Sequence, residues 1–147
     1  MQFVNESNTD GEIFSVLNPT LKTWFKDKFG TFCTPQKFGV IPIHNRENIL
    51  LSAPTGSGKT LTAFLSIINE LIDCSEKGIL ADKVYCVYVS PLKALNYDIQ
   101  VNLVEPLKEI EKISGKRLGI RVSVRTGDTS SSEKAGMLKN PPHILIT

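Results

Sequence analysis

The stretch that most constrains this chain is Ala53-Pro54-Thr55-Gly56-Ser57-Gly58-Lys59-Thr60. It follows an apolar run, Asn48-Ile49-Leu50-Leu51-Ser52, and opens an amphipathic segment from Leu61 to Ile72. Strand, glycine-rich loop, helix is the order that a phosphate-binding P-loop requires. Successive N–H groups of the loop and of the first helical turn form a concave anion site, and the helix dipole adds positive potential. Gly56 and Gly58 lack a Cβ, so the backbone can take positive φ and wrap a triphosphate closely. In that chemistry Thr55, Gly56, Ser57 and Gly58 cradle the phosphates. Lys59 reaches the β- and γ-phosphates, and the Thr60 hydroxyl ligates Mg²⁺. The competing reading is an ordinary glycine-containing turn, which the flanking strand and helix patterns disfavour.

A chain of 147 residues predicts one domain with a real core. Its 41% hydrophobic and 22% charged residues are ordinary for a globular protein. A formal charge of +2 is too small to argue for nucleic acid by itself. Cys33, Cys74 and Cys86 show no CxxC spacing, which points to a reducing compartment rather than a disulfide or zinc framework. His44 and His143 are far apart and have no ligand spacing, so no metal is assigned to them. The N-terminus has neither a basic nor an apolar leader region, and no apolar run approaches the roughly 20 residues of a membrane span. The expected setting is the cytoplasm, away from any membrane.

Residues 1–11 read as a loose polar tail, followed by a short apolar segment, Ile13 to Leu17. This tail and short helix, residues 1–18, precede the domain proper at 19–147. Asn18-Pro19 is a cap followed by proline at the first helical position. The helix it starts, about Thr20 to Phe29, places Leu21, Trp24, Phe25 and Phe29 on one face, and one of these rings is a candidate to stack on a base. Thr34-Pro35 starts another helix with Gln36 in its first turn. Lys83 to Val89 reads as a strand buried on both faces. From Leu92 a helical pattern runs to about Ile113, with a break or kink at Pro106 near Glu105. Ser130 and Glu133 form a capping box. Six basic residues between Pro106 and Arg125 read first as a solvated surface.

Strands near 48–52, 84–89, 120–125 and 143–147 alternate with helices, the pattern of a parallel α/β sheet with right-handed crossovers. Ligands of such sheets sit at the carboxyl ends of the strands. Ser90, Thr126 and Thr147 all fall at expected carboxyl ends, on the same edge as the P-loop.

With these landmarks the chain resembles the first RecA-like domain of a superfamily 2 helicase, over about residues 20–147. Pro35-Gln36 upstream of APTGSGKT resembles the Q motif, in which the Gln36 amide accepts from adenine N6 and donates to N7. Ser90-Pro91-Leu92-Lys93-Ala94-Leu95 resembles motif Ia, and Thr126-Gly127-Asp128 the turn before motif Ib. The SPLKAL and TGDT wording is similar to the large helicase-related (Lhr) group, mainly archaeal and bacterial. The resemblance implies a RecA-like P-loop NTPase domain with a mostly parallel sheet flanked by helices. It implies ATP and Mg²⁺, with Lys59 and Thr60 in the catalytic machinery, and a single-stranded or partly duplex nucleic acid, DNA in this group. Pro91, Lys93 and Gly127 are then the contacts to its phosphates.

The departure from the family is that no D-E-x-H or D-E-A-D element, the Walker B motif, follows within the sequence. The expectation is therefore a domain truncated before the Walker B strand, inactive by itself, whose second RecA-like domain lies elsewhere. A non-catalytic nucleotide- or nucleic-acid-binding module is the alternative from another class. A DEAD-box RNA helicase fragment is the alternative within the class, though the PTREL form of motif Ia is lacking. An unrelated kinase or GTPase is disfavoured by SPLKAL and by the lack of NKxD.

Overall fold

A computed structural model describes residues 4–91 and 99–147. Helices α1 (Asp10–Val16), α2 (Pro19–Phe29), α3 (Thr34–His44) and α4 (Lys59–Glu76) come first. Strand β1 (Cys86–Tyr88), a π-turn (Gln100–Val104), α5 (Glu105–Ser114), β2 (Val122–Val124), α6 (Ser131–Lys139) and β3 (Ile144–Ile146) follow. The three strands form one sheet in the order β1-β3-β2, and both pairings are parallel. Ile144 stands between Cys86 and Val122, and Ile146 between Tyr88 and Val124.

Helix α4 organises the core. Its stripe of Leu61, Phe64, Leu65, Ile68, Leu71 and Ile72 is buried, as the spacing predicts. Phe64 meets Tyr88 at the carboxyl end of β1, with ring centroids 4.8 Å apart. Ser75, near the other end of α4, donates to the Leu118 carbonyl ahead of β2 at 2.6 Å. The helix therefore runs opposite to the strands, and its N-terminus lies toward their carboxyl edge.

The N-terminal helices are bolted to α4 by buried amides. Asn69 accepts from the Asn18 backbone N–H at 2.6 Å and donates to the Val16 carbonyl at 3.1 Å. Asn18 caps α2 through Thr20 N–H and donates to Asp73 and Glu76. Helix α1 begins earlier than the polar composition of residues 1–11 suggests, because Thr9 and Glu12 form a reciprocal capping box. Its Phe14 joins Phe25 and Phe32 in the core.

Two expectations change, and a third gains a definite form. The segment 48–52 is not a ladder strand. Its side chains alternate as a strand's would: Ile49 and Leu51 approach Gly39 of α3, while Leu50 is 82% exposed. A strand also needs backbone neighbours, and among the described residues both available strands pair with β3 instead. Second, Lys83 to Val89 is covered on one face and open on the other. Cys86 and Tyr88 pack on the core, whereas Val87 and Val89 are 55% and 76% exposed, because α4 covers a single side of the sheet. Third, the break at Pro106 is a π-turn. Proline has no N–H and its ring crowds the carbonyl four residues back, so the helix widens just before it. Glu105 N–H accordingly reaches Gln100, five residues back. The helical start expected at Leu92 lies outside the described residues.

His143 locks the amino-terminal edge of the sheet. It is buried, and its Nδ1 accepts from the Arg121 N–H at 2.9 Å, a bond that needs the neutral ring. Burial holds its pKa below the ordinary value, the Arg121 charge lowers it further, and Asp82 partly opposes both. The unfolded chain takes up this proton near pH 6.5, and the folded chain takes it up lower. Stability is thus fully present above pH 6.5 and is lost as pH falls through the folded value. Thermal melts between pH 8 and pH 5 test this with about 1-unit steps, and His143→Asn, which keeps an acceptor, should flatten that slope.

Candidate nucleotide site

The glycine-rich loop and the segment around Gln36 meet at one cleft. Gly56 and Gly58 take φ of 78° and 95°, left-handed values that suit glycine, and Gly58 caps α4. Gln36 is the third residue of α3, and its Oε1 accepts from the Cys33 backbone N–H at 2.9 Å. The Cys33 thiol in turn donates to the Ser57 carbonyl at 3.1 Å. Gln36 Nε2 faces Gly58, 3.5 Å from where a Cβ on that glycine would stand. The resemblance to a Q motif pairs Gln36 with the loop but specifies no contact between them. Here a thiol and an amide join them.

The cleft, of about 370 Å³, is lined by Gln36, Cys33, Gly56, Ser57, Gly58 and Leu61 on one side. Its outer walls are Lys28 and Phe29 at the end of α2 with Thr31 just beyond it, and Val101, Asn102 and Pro106 from the π-turn and α5. Phe29 is 45% exposed, unlike Trp24 and Phe25, so it is the ring of the aromatic cluster that a base can meet. The helical spacing put all three rings on one face. The position of Phe29 beside the stop signal Gly30 is the cue that separates it. Nothing in the sequence signals the wall from residues 101–106, because it depends on how α5 packs.

Lys59 Nζ donates to the Ala53 and Pro54 carbonyls, 2.6 Å to the latter, which ties the amine across the start of the loop. The Ser57 hydroxyl is buried and has no partner among the described residues. A buried orphan hydroxyl in the curve of an amide-rich loop suits a polyoxygen anion, which can accept from it. The half-buried Thr60, on the first turn of α4, would be the protein ligand for a phosphate-bound Mg²⁺. By contrast, Thr62 is turned inward and donates to the Gly58 carbonyl at 2.8 Å.

The second group of expected site residues lies at the carboxyl rim of the sheet. Ser90 N–H donates to the Thr147 carbonyl at 3.1 Å, and Arg125 N–H to the Ile146 carbonyl at 2.7 Å. The ends of all three strands, with exposed Pro91 just beyond β1, therefore share one rim. Gly127 is exposed in a turn closed by Thr126 N–H donating to Thr129 Oγ1 at 2.8 Å. Lys93 lies outside the described residues.

Residues 34–147 match the DEAD/DEAH box helicase family. The chain belongs to that family. It is 55% identical over its whole length to the ATP-dependent helicase Lhr-Core protein 2 of Thermococcus barophilus, and 55% identical over 95% of its length to the Lhr-Core helicase of Methanothermobacter thermautotrophicus. It spans 18% and 16% of those relatives. Its fold is similar to the structure of Mycobacterium smegmatis helicase Lhr bound to ssDNA and AMP-PNP, with a TM-score of 0.80 and 36% identity over 92% of this chain and 17% of that one. The yeast DEAD-box splicing factor Prp28, at a TM-score of 0.69 and 20% identity over 97% of this chain and 33% of that one, shows the same fold. This helicase domain is therefore the RecA-like fold read from the sequence, with Lhr helicases among its relatives.

Within this domain a Cβ on Gly58 would stand 2.8 Å from the Cys33 sulfur, at a φ that side chains rarely adopt. Gly58→Ala is expected to cost about 1–3 kcal/mol in denaturant titrations. Gly127→Ala meets nothing within 4 Å and should leave the midpoint unchanged.

Proposed function

We propose that this chain is the ATP-binding N-terminal part of an ATP-dependent nucleic-acid helicase or translocase acting on DNA in a prokaryotic cytoplasm. The observation that carries the reading is the meeting of Gln36 with the Gly56–Gly58 loop at one cleft, with Lys59 following that loop and tied back to its start. Adenine lies between Phe29 and the loop, where Gln36 Nε2 donates to N7 and the second lone pair of its Oε1 accepts from N6. The triphosphate curls through Thr55 to Thr60, with Lys59 on the β- and γ-phosphates and Thr60 on Mg²⁺. When bound, Mg²⁺ neutralises the phosphate oxygens as charge moves during transfer. Thr60 would supply one oxygen ligand to the ion, the others coming from phosphate, water and carboxylate oxygens.

Nucleic acid crosses the carboxyl rim, held through its phosphates by Pro91, Lys93 and Gly127. A second RecA-like domain is the partner that closes over the nucleotide and drives movement along the strand. The relative bound to ssDNA and AMP-PNP supports this reading. Because the contacts are to phosphates, binding is largely independent of sequence and weakens with salt.

Lys59→Ala should abolish ATP binding in equilibrium dialysis without lowering the melting temperature; retained binding would remove the P-loop assignment. Gln36→Glu keeps the acceptor for Cys33 N–H but loses the donor to N7. It is expected to erase the preference for ATP over GTP while leaving triphosphate affinity within about threefold. Lys93→Glu should weaken binding of single strands equally across sequences, and a selective loss in filter binding would show that Lys93 reads bases.

A further inference from the structure

The two outer walls of the cleft belong to helices far apart in sequence, and one carboxylate joins them. Glu109, on α5 one turn beyond the cleft residue Pro106, accepts from Trp24 Nε1 at 2.6 Å. The same carboxylate pairs with Lys28 Nζ through both oxygens, at 2.7 and 2.8 Å. Lys28 and Trp24 hold its pKa below the usual glutamate value, lysine contributing more. Trp24 is 2% exposed, so water is a poor substitute for this acceptor. Lys28 lines the cleft, and its ammonium lies 5.6 Å from the Trp24 ring and 6.0 Å from the Phe29 ring. Phe29 stands edge-on to Trp24, with centroids 5.7 Å apart. The carboxylate thus braces the back of the wall whose front is Phe29 and Lys28.

We propose that Glu109 is a positioning residue for the base of the nucleotide, setting the spacing between the Lys28–Phe29 wall and the wall from Val101 to Pro106. The inference rests on the reading that this cleft takes the base of ATP. It assigns to α5, which follows the SPLKAL segment in the chain, a part in nucleotide recognition that no P-loop or Q-motif residue plays. An exposed lysine–carboxylate pair contributes little on its own. The buried indole N–H and the bidentate grip make this one a structural tie.

The test uses the 147-residue chain, with fluorescent ATP and inorganic tripolyphosphate as separate probes. Tripolyphosphate engages the loop alone, whereas ATP also needs the cleft. Glu109→Ala should weaken ATP binding about tenfold and leave tripolyphosphate affinity unchanged. Glu109→Gln keeps an acceptor for Trp24 but loses the charge on Lys28, and should weaken ATP by about threefold with the same selectivity. If the alanine variant fails to fold, the glutamine variant decides. Equal loss of both probes, or no loss of either, overturns the positioning role while the nucleotide site stands. A wild-type chain that binds tripolyphosphate no more weakly than ATP overturns the base-cleft reading, and the proposal with it.

Discussion

The close approach of α3 to α4 at Gly39 is the constraint on which the site depends. A Cβ there would lie 2.6 Å from the Thr62 methyl, with Leu51 and Ile49 3.5 and 3.6 Å away. Ser66 reinforces the contact by donating to the Val40 carbonyl at 3.0 Å. Without a side chain at Gly39 the two helices pack backbone to side chain, and their N-termini come together. Gln36 lies one turn before Gly39, and Gly58 one turn before Thr62. The spacing at Gly39 therefore sets the spacing of the Gln36 amide from the glycine-rich loop.

From this junction the rest follows in layers. Helix α4 carries the loop at one end and, through Asn69, the α1–α2 joint near the other. Packing α4 against the sheet puts the loop toward the carboxyl rim, where Pro91 and Gly127 also lie. Parallel strands make that convergence unavoidable, since every strand ends on the same side. The helicase domain thus has two neighbouring surfaces, the cleft proposed for a nucleotide and the rim proposed for a strand. The exposed face around Val87 and Val89 is the apolar surface that α4 leaves open.

Much of this was legible because it is local. The P-loop glycines, the Asn18-Pro19 start, the Ser130 and Glu133 capping box and the stop at Gly30 each concern neighbouring residues, and each is found as read. The π-turn was half legible. Pro106 announced a defect, but not that the helix would widen to absorb it. The segment 48–52 was misread because alternation of side chains and membership of a ladder are separate properties. The second depends on a partner from elsewhere in the chain. Burial of Lys83 to Val89 on both faces failed for the same reason, since apolar composition does not say how many faces are covered.

By itself, then, the sequence determined the chemistry available: a loop of amides with a lysine and a threonine, a glutamine at a helix start, and strands that end in polar turns. Those properties reside in residue types and short spacings, where steric rules and hydrogen-bond capacity act directly. Tertiary structure alone decided that the Cys33 thiol would reach Ser57, that Phe29 rather than Trp24 would face the cleft, and that Glu109 would bridge α2 and α5. Those contacts join residues tens of positions apart, and close packing of the helices around α4 selects them. No local propensity encodes a distance between two helices; the volume of the side chains between them does.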